Sequence, residues 1–177
     1  MTRRLSWILI ASALSLTGCA ASVNRGANES KLAPATVATK RMALDVRGST
    51  DMSASKDWEQ FRGVWQTEMA LAAKQGGLTL VPLDAAKAPG AEPSTLVSVQ
   101  INDYRYITRA ARVVAGITTG NAYVDSDVTF SELPAGTVIG TRKYATSSSA
   151  MQGVFAPMTE RQLQGISEEI VGELKQR

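Results

Sequence analysis

The chain has 177 residues, one cysteine, no histidine and a formal charge of +3 from 19 basic and 16 acidic side chains. Without histidine, Ser-His-Asp and Cys-His catalytic machinery are excluded, and the commonest general base and metal ligand is missing. No cluster of Lys and Arg forms the basic face that a nucleic-acid partner requires. A lone cysteine also leaves no intrachain disulfide, so stability must come from an apolar core.

The first 18 residues have the parts of a secretory signal: basic Arg3 and Arg4, an apolar run from Leu5 to Leu14, then small residues. That run is too short to span a bilayer, which takes about 20 residues. Leu16-Thr17-Gly18-Cys19 follows, and it resembles the lipobox of bacterial lipoproteins. The resemblance implies diacylglycerol on the Cys19 thiol, cleavage between Gly18 and Cys19, and an acyl chain on the new amino terminus. A thiolate suits the alkylation chemically, and small neighbours expose the backbone to the peptidase. In Gram-negative lipoproteins, aspartate directly after the cysteine means retention at the inner membrane. Ala20 stands there, so the resemblance implies the outer membrane. No cofactor or metal is expected beyond these covalent lipids.

Removing the leader leaves 159 residues, with 17 basic side chains against 16 acidic. That length suits one domain. Residues 20–40 are rich in Ala, Ser, Thr and Asn, carry Pro34 and have no apolar period. After Cys19 they read as a flexible tether with an extended reach of roughly 70 Å, at about 3.3 Å per residue. The single globular domain is placed at 41–177.

Within it, Met42, Leu44 and Val46 alternate with Ala43, Asp45 and Arg47, which predicts a first strand. Ser55 is the expected N-cap of a helix, with Asp57 and Glu59 near its positive end. Trp58, Phe61, Trp65, Met69 and Ala72 recur at helical spacing, and Gly76-Gly77 supplies the stop. Such an aromatic stripe could line a ligand groove, but core packing is the preferred reading. A short strand follows in "LTLVPLD", where Pro82 implies an edge or a strand end. From Thr95 to Thr108, Val97, Val99 and Ile101 face inward and Gln100, Asn102, Tyr104 and Tyr106 are expected outward. Ala122 to Glu132 forms another strand, with Val124, Val128 and Phe130 on one side. The turn Pro134-Ala135-Gly136 returns it as a hairpin through Val138 to Ser147. A closing helix is expected to carry a Thr159/Gln162 capping box, a Met158/Leu163 staple and a core stripe of Leu163, Ile166, Ile170 and Leu174. The predicted fold class is α+β: a two-layer domain with a mixed four- to five-stranded sheet and two helices packed on it.

Asp125 and Asp127 project from one strand face, as a hydrolytic or cation-binding pair would, but the outward face of an amphipathic strand is enough to explain them and is the preferred reading. Lys143 with a nearby serine could imitate a Ser-Lys dyad, but the surrounding sequence lacks an elbow. In "ARVVAGITTGNAYVDSDVTF", Arg112, Gly116, Gly120 and Ala122 precede an alternating strand. This run resembles the bacterial lipoproteins collected as domain-of-unknown-function family 4410, loosely from about residue 41 to the end. Its turn departs from the family's, with Leu133-Pro134-Ala135-Gly136 in place of an Asp-x-x-Thr-Gly type. The resemblance implies a domain similar to those of envelope-assembly lipoproteins, with no activity to transfer. Gly116 and Gly120 could form a Gly-x-x-x-Gly helix pair in lipid; close backbone approach is preferred. The sequence therefore points to a non-enzymatic, lipid-anchored, periplasm-facing binding or assembly module, with an envelope protein or a second copy as partner. The alternative is a subunit of an oligomeric secretion or pore complex, with residues 109–120 and adjacent strands inserting in the membrane.

Overall fold

A computed structural model describes residues 22–26, 29–107, 121–147 and 158–177. Ten elements follow in chain order: β1 (Val23–Arg25), β2 (Arg41–Arg47), α1 (Thr50–Ser53), α2 (Trp58–Gln75), β3 (Thr79–Leu80), α3 (Leu83–Lys87), β4 (Ser94–Arg105), β5 (Tyr123–Leu133), β6 (Thr137–Ser147) and α4 (Met158–Lys175). The strands form one sheet in the order β1-β6-β5-β4-β2-β3. Pairs on the β1 side are antiparallel, whereas β4, β2 and β3 run parallel. The fold is α+β with a mixed sheet, as the sequence predicts. It has six strands where four to five were expected, and the short α1 and α3 join the two long helices.

One face of the sheet carries the core. Met42, Leu44, Val97, Val99, Ile101, Val124, Val128 and Phe130 meet Phe61, Trp65 and Met69 of α2 and Leu163, Ile166 and Ile170 of α4. The α2 stripe is thus core packing, and its helical spacing exists because one face of the helix must leave water. Gly76 ends α2 with its N–H on Ala72 O, and Gly77, whose N–H donates to Lys74 O, continues at φ +75°, which suits a residue without Cβ. At Gly76 an added Cβ would overlap Val171 Cγ1 of α4. Gly76→Ala must therefore displace the Val171 side chain or move α2 away from α4. Such overpacking costs about 1–3 kcal/mol, and a melting temperature several degrees below the parent's is the expected readout. An unchanged melt would mean that Val171 gives way there at no cost. On the opposite sheet face α3 covers a small patch, burying Ala86 against Ala43 and Leu96. Elsewhere on that face the described side chains include Ser98, Gln100, Asp127 and Thr129, polar and not buried.

Four local expectations change. Ser55 does not cap α2: the capping residue is Asp57, while Ser55 Oγ donates to Met52 O and also contacts Asp57 and Tyr104. Thr159 and Gln162 do not pair as a box. Thr159 Oγ1 accepts the Ile107 N–H and Gln162 Nε2 donates to Ala122 O, so both tie α4 to the strands. A register shift between Ile101 and Asp103 places an extra residue in β4. Past that bulge the alternation changes parity, so Tyr104 turns to the core side opposite Val124 rather than outward. Finally, part of the expected tether is structured. Val23–Arg25 pairs with Thr146–Tyr144 of β6, and Leu32 is buried over Gly140. The β6 edge offers backbone groups that a polar segment can satisfy without any apolar period of its own.

Candidate functional site

Of the residues singled out from sequence, Gly18, Cys19, Arg112, Gly116 and Gly120 lie outside the described residues. Ala122 is inside, fully buried, packed on Ile107 and hydrogen-bonded through its carbonyl to Gln162 Nε2 at 2.8 Å. It marks one end of the sheet. The strand directions gather there the C-terminal ends of β2, β4 and β6 with the first residues of β1 and β5. The starts of α2 and α4 join them through contacts with β4 and the residues just after it. Tyr104 stacks on Phe61 with ring centroids 4.3 Å apart, beside Trp58 at 5.9 Å. Its hydroxyl lies 2.8 Å from Ser55 Oγ and donates to Asp57 Oδ1 at 2.9 Å. Burial, with a further contribution from Asp57, raises the Tyr104 phenol above its ordinary range. Burial likewise raises Tyr106, whose ring meets Phe61 edge-on.

Along the β6 edge, a charged latch holds the segment that leads away from the amino terminus. Arg25 pairs with Glu169 and, at 2.8 Å, with Glu173 of α4. Arg142 of β6, only 5% exposed, pairs with the same Glu173 at 2.7 Å and with Glu29 at 3.5 Å. Glu29 also accepts the Lys143 N–H, while Gly26 N and Ala33 N donate to Lys143 O and Ile139 O. Hydrogen bonding from Arg142, then its charge and that of Arg25, holds the Glu173 carboxyl below the usual carboxylate range. Burial pushes the neighbouring Tyr144 phenol far up. At the other end of the strap, Glu132 accepts from Thr36 N at 2.8 Å and pairs with Arg177, whose Nε donates to Ala33 O. Hydrogen bonds from Thr36 and Arg177 lower the Glu132 carboxyl. None of these charges was singled out from sequence. The partners are as much as 148 residues apart, and individually each reads as a solvated surface group.

Asp125 and Asp127 do share the open sheet face. Asp127 is engaged by Asn102 at 2.8 Å and Lys143 at 3.6 Å, and Asp125 stands opposite Asp103, which accepts from the Tyr123 hydroxyl at 3.1 Å. Lys143 therefore faces a carboxylate, that of Asp127. No group of three or more His, Cys, Asp or Glu among the described residues is placed to hold a metal ion. Nor is any described helix long and apolar enough to cross a membrane.

These features define the class: a two-layer α+β domain whose six-stranded mixed sheet carries helices α2 and α4 on one face and is strapped along its β6 edge by its own amino-terminal segment. No family model and no curated protein matches the chain. Among solved structures, a PelC variant dodecamer from Paraburkholderia phytofirmans shares the fold. The TM-score is 0.53 at 14% identity, covering 88% of this chain and 99% of that one. A second PelC dodecamer structure from the same organism gives 0.48 at 15% identity over 83% and 97% of the two chains. A Xanthomonas campestris protein of domain-of-unknown-function family 330 gives 0.48 at 10% identity over 81% and 90%.

Proposed function

We propose that this protein is a non-enzymatic lipoprotein of the bacterial envelope, anchored through Cys19 and acting by self-association or by binding an envelope partner on the periplasmic side of the outer membrane. The observation that carries the reading is Leu16-Thr17-Gly18-Cys19 directly after a signal-like run. Two chains or more on Cys19 would make the anchor stable, since each buried methylene contributes about 0.8 kcal/mol. Self-association draws support from the fold shared with PelC, which is described as a dodecamer. The missing histidine, and the engagement of Asp127 by Asn102 and Lys143, favour assembly over hydrolysis as the task of the domain.

Metabolic labelling with a fatty acid tests the anchor. Cys19→Ser is expected to lose the label and to leave the protein unprocessed or released from the membrane fraction; normal labelling of that variant would refute the assignment. Cross-linking in intact cells, then sizing in detergent, tests the assembly. A discrete oligomer or capture of one envelope protein is the expected result, and an uncrosslinked monomer would count against it.

A further inference from the structure

The first strand begins almost at the anchor. Only Ala20, Ala21 and Ser22 separate Cys19 from Val23, so the leash extends to about 13 Å at about 3.3 Å per residue. This is a small fraction of the reach expected when residues 20–40 are read as a flexible tether. It cannot lengthen by simple fraying, because Arg25, Gly26 and Glu29 are tied to α4 and β6 immediately downstream.

β1 runs antiparallel to β6 with Val23 opposite Thr146, which puts the leash at the C-terminal end of β6. Across the sheet, Ser147 pairs with Tyr123 and Tyr123 with Arg105, so the rim beside Val23 is formed by the ends of β6, β5 and β4. Three of the four tyrosines, Tyr104, Tyr106 and Tyr123, stand here, and Tyr106 and Tyr123 remain partly exposed. Their rings are apolar with a polar tip, which suits a boundary between water and lipid. The opposite rim, with the Pro134–Gly136 turn, lies the length of β6 away: 11 residues, about 35 Å at about 3.3 Å each.

We infer that the rim formed by Val23, Ser147, Tyr123, Arg105 and Tyr106 is the surface that contacts the membrane, and that the sheet stands upright on it with the Pro134–Gly136 turn pointing away. The inference rests on lipidation of Cys19. Its consequence is that the domain cannot leave the membrane to meet a partner, since the leash is shorter than the domain itself.

The test uses the full chain, purified with its lipids and reconstituted in phosphatidylethanolamine and phosphatidylglycerol vesicles that contain nitroxide-labelled lipid. With Cys19 blocked as a thioether, one introduced cysteine carries one fluorophore. Ser147→Cys and Lys56→Cys, both exposed, report on the proposed contact rim; Ala135→Cys and Gln75→Cys, also exposed, report on the far rim. Loss of most of the fluorescence at the first two and none at the last two is expected. Equal quenching at all four, or quenching at none, in protein that floats with the vesicles would overturn the orientation alone. Protein that neither labels nor floats would overturn the anchor and the orientation together.

Discussion

Arg142→Ala is expected to cost about 3–5 kcal/mol in urea denaturation, the range for removing one partner of a buried ion pair. Arg142 is 5% exposed and faces Glu173 at 2.7 Å and Glu29 at 3.5 Å. Its removal leaves two carboxylates largely out of water, with Arg25 still on Glu173 to soften the loss toward the lower end. Because Glu29 and Arg25 belong to the strap, trypsin should then cut at Arg25 and Lys31 in a protein that otherwise remains folded. Replacing both members, Arg142→Met with Glu173→Met, should recover part of the stability, since the Glu173 carboxylate leaves together with its partner and only Glu29 is deprived of Arg142. A double variant no more stable than Arg142→Ala would mean that the latch acts through something other than charge. The pH dependence has a definite sign. Glu173 has a lowered carboxyl in the folded protein, so its contribution is present above the unfolded carboxylate value and disappears as pH falls through the lowered one. Glu68 runs the other way, raised by burial and then by Glu160 and Glu168, so protonating it relieves repulsion and offsets part of the acid loss. Arg142→Ala should flatten the acid limb of the stability profile.

Trp65→Ala is expected to bring the domain close to unfolding. Trp65 is completely buried at the middle of α2, in the main core cluster between the helices and the sheet. Emptying such a site costs about 3–5 kcal/mol, against a total of about 5–15 kcal/mol for a typical domain. Its indole N–H has no hydrogen-bond partner among the described residues. Trp65→Phe therefore removes some volume but also an unsatisfied donor, and should retain most of the stability that Trp65→Ala loses. Thermal and urea melts of the two variants decide this, and a Trp65→Ala protein within 1 kcal/mol of the parent would contradict the packing of α2 on the sheet.

The sequence by itself determined the elements whose burial is periodic and local. Met42, Leu44 and Val46 announce β2, the stripe from Trp58 to Ala72 announces α2, Leu163, Ile166 and Ile170 announce α4, and Pro134-Ala135-Gly136 announces the hairpin. In each, several residues of one element face one environment, so the period of the element appears in the order of residues. Gly76-Gly77 could be read in the same way, because ending a helix is a property of the backbone. Only the tertiary structure decided the rest. Tyr104 reads as outward because a bulge is a mismatch between two strands, invisible in either alone, and one extra residue at Asn102 reverses everything after it. Ser55 reads as the cap of α2, yet the helix starts two residues later, where Trp58 meets Tyr104 of β4, a contact absent from the local sequence. β1 is three residues long, too short to show a period; it is a strand because β6 has an edge to fill. Arg25, Glu29, Arg142 and Glu173 form a site only after the fold has brought them within a few ångströms, since a charge in a sequence carries no mark of the charge it will meet.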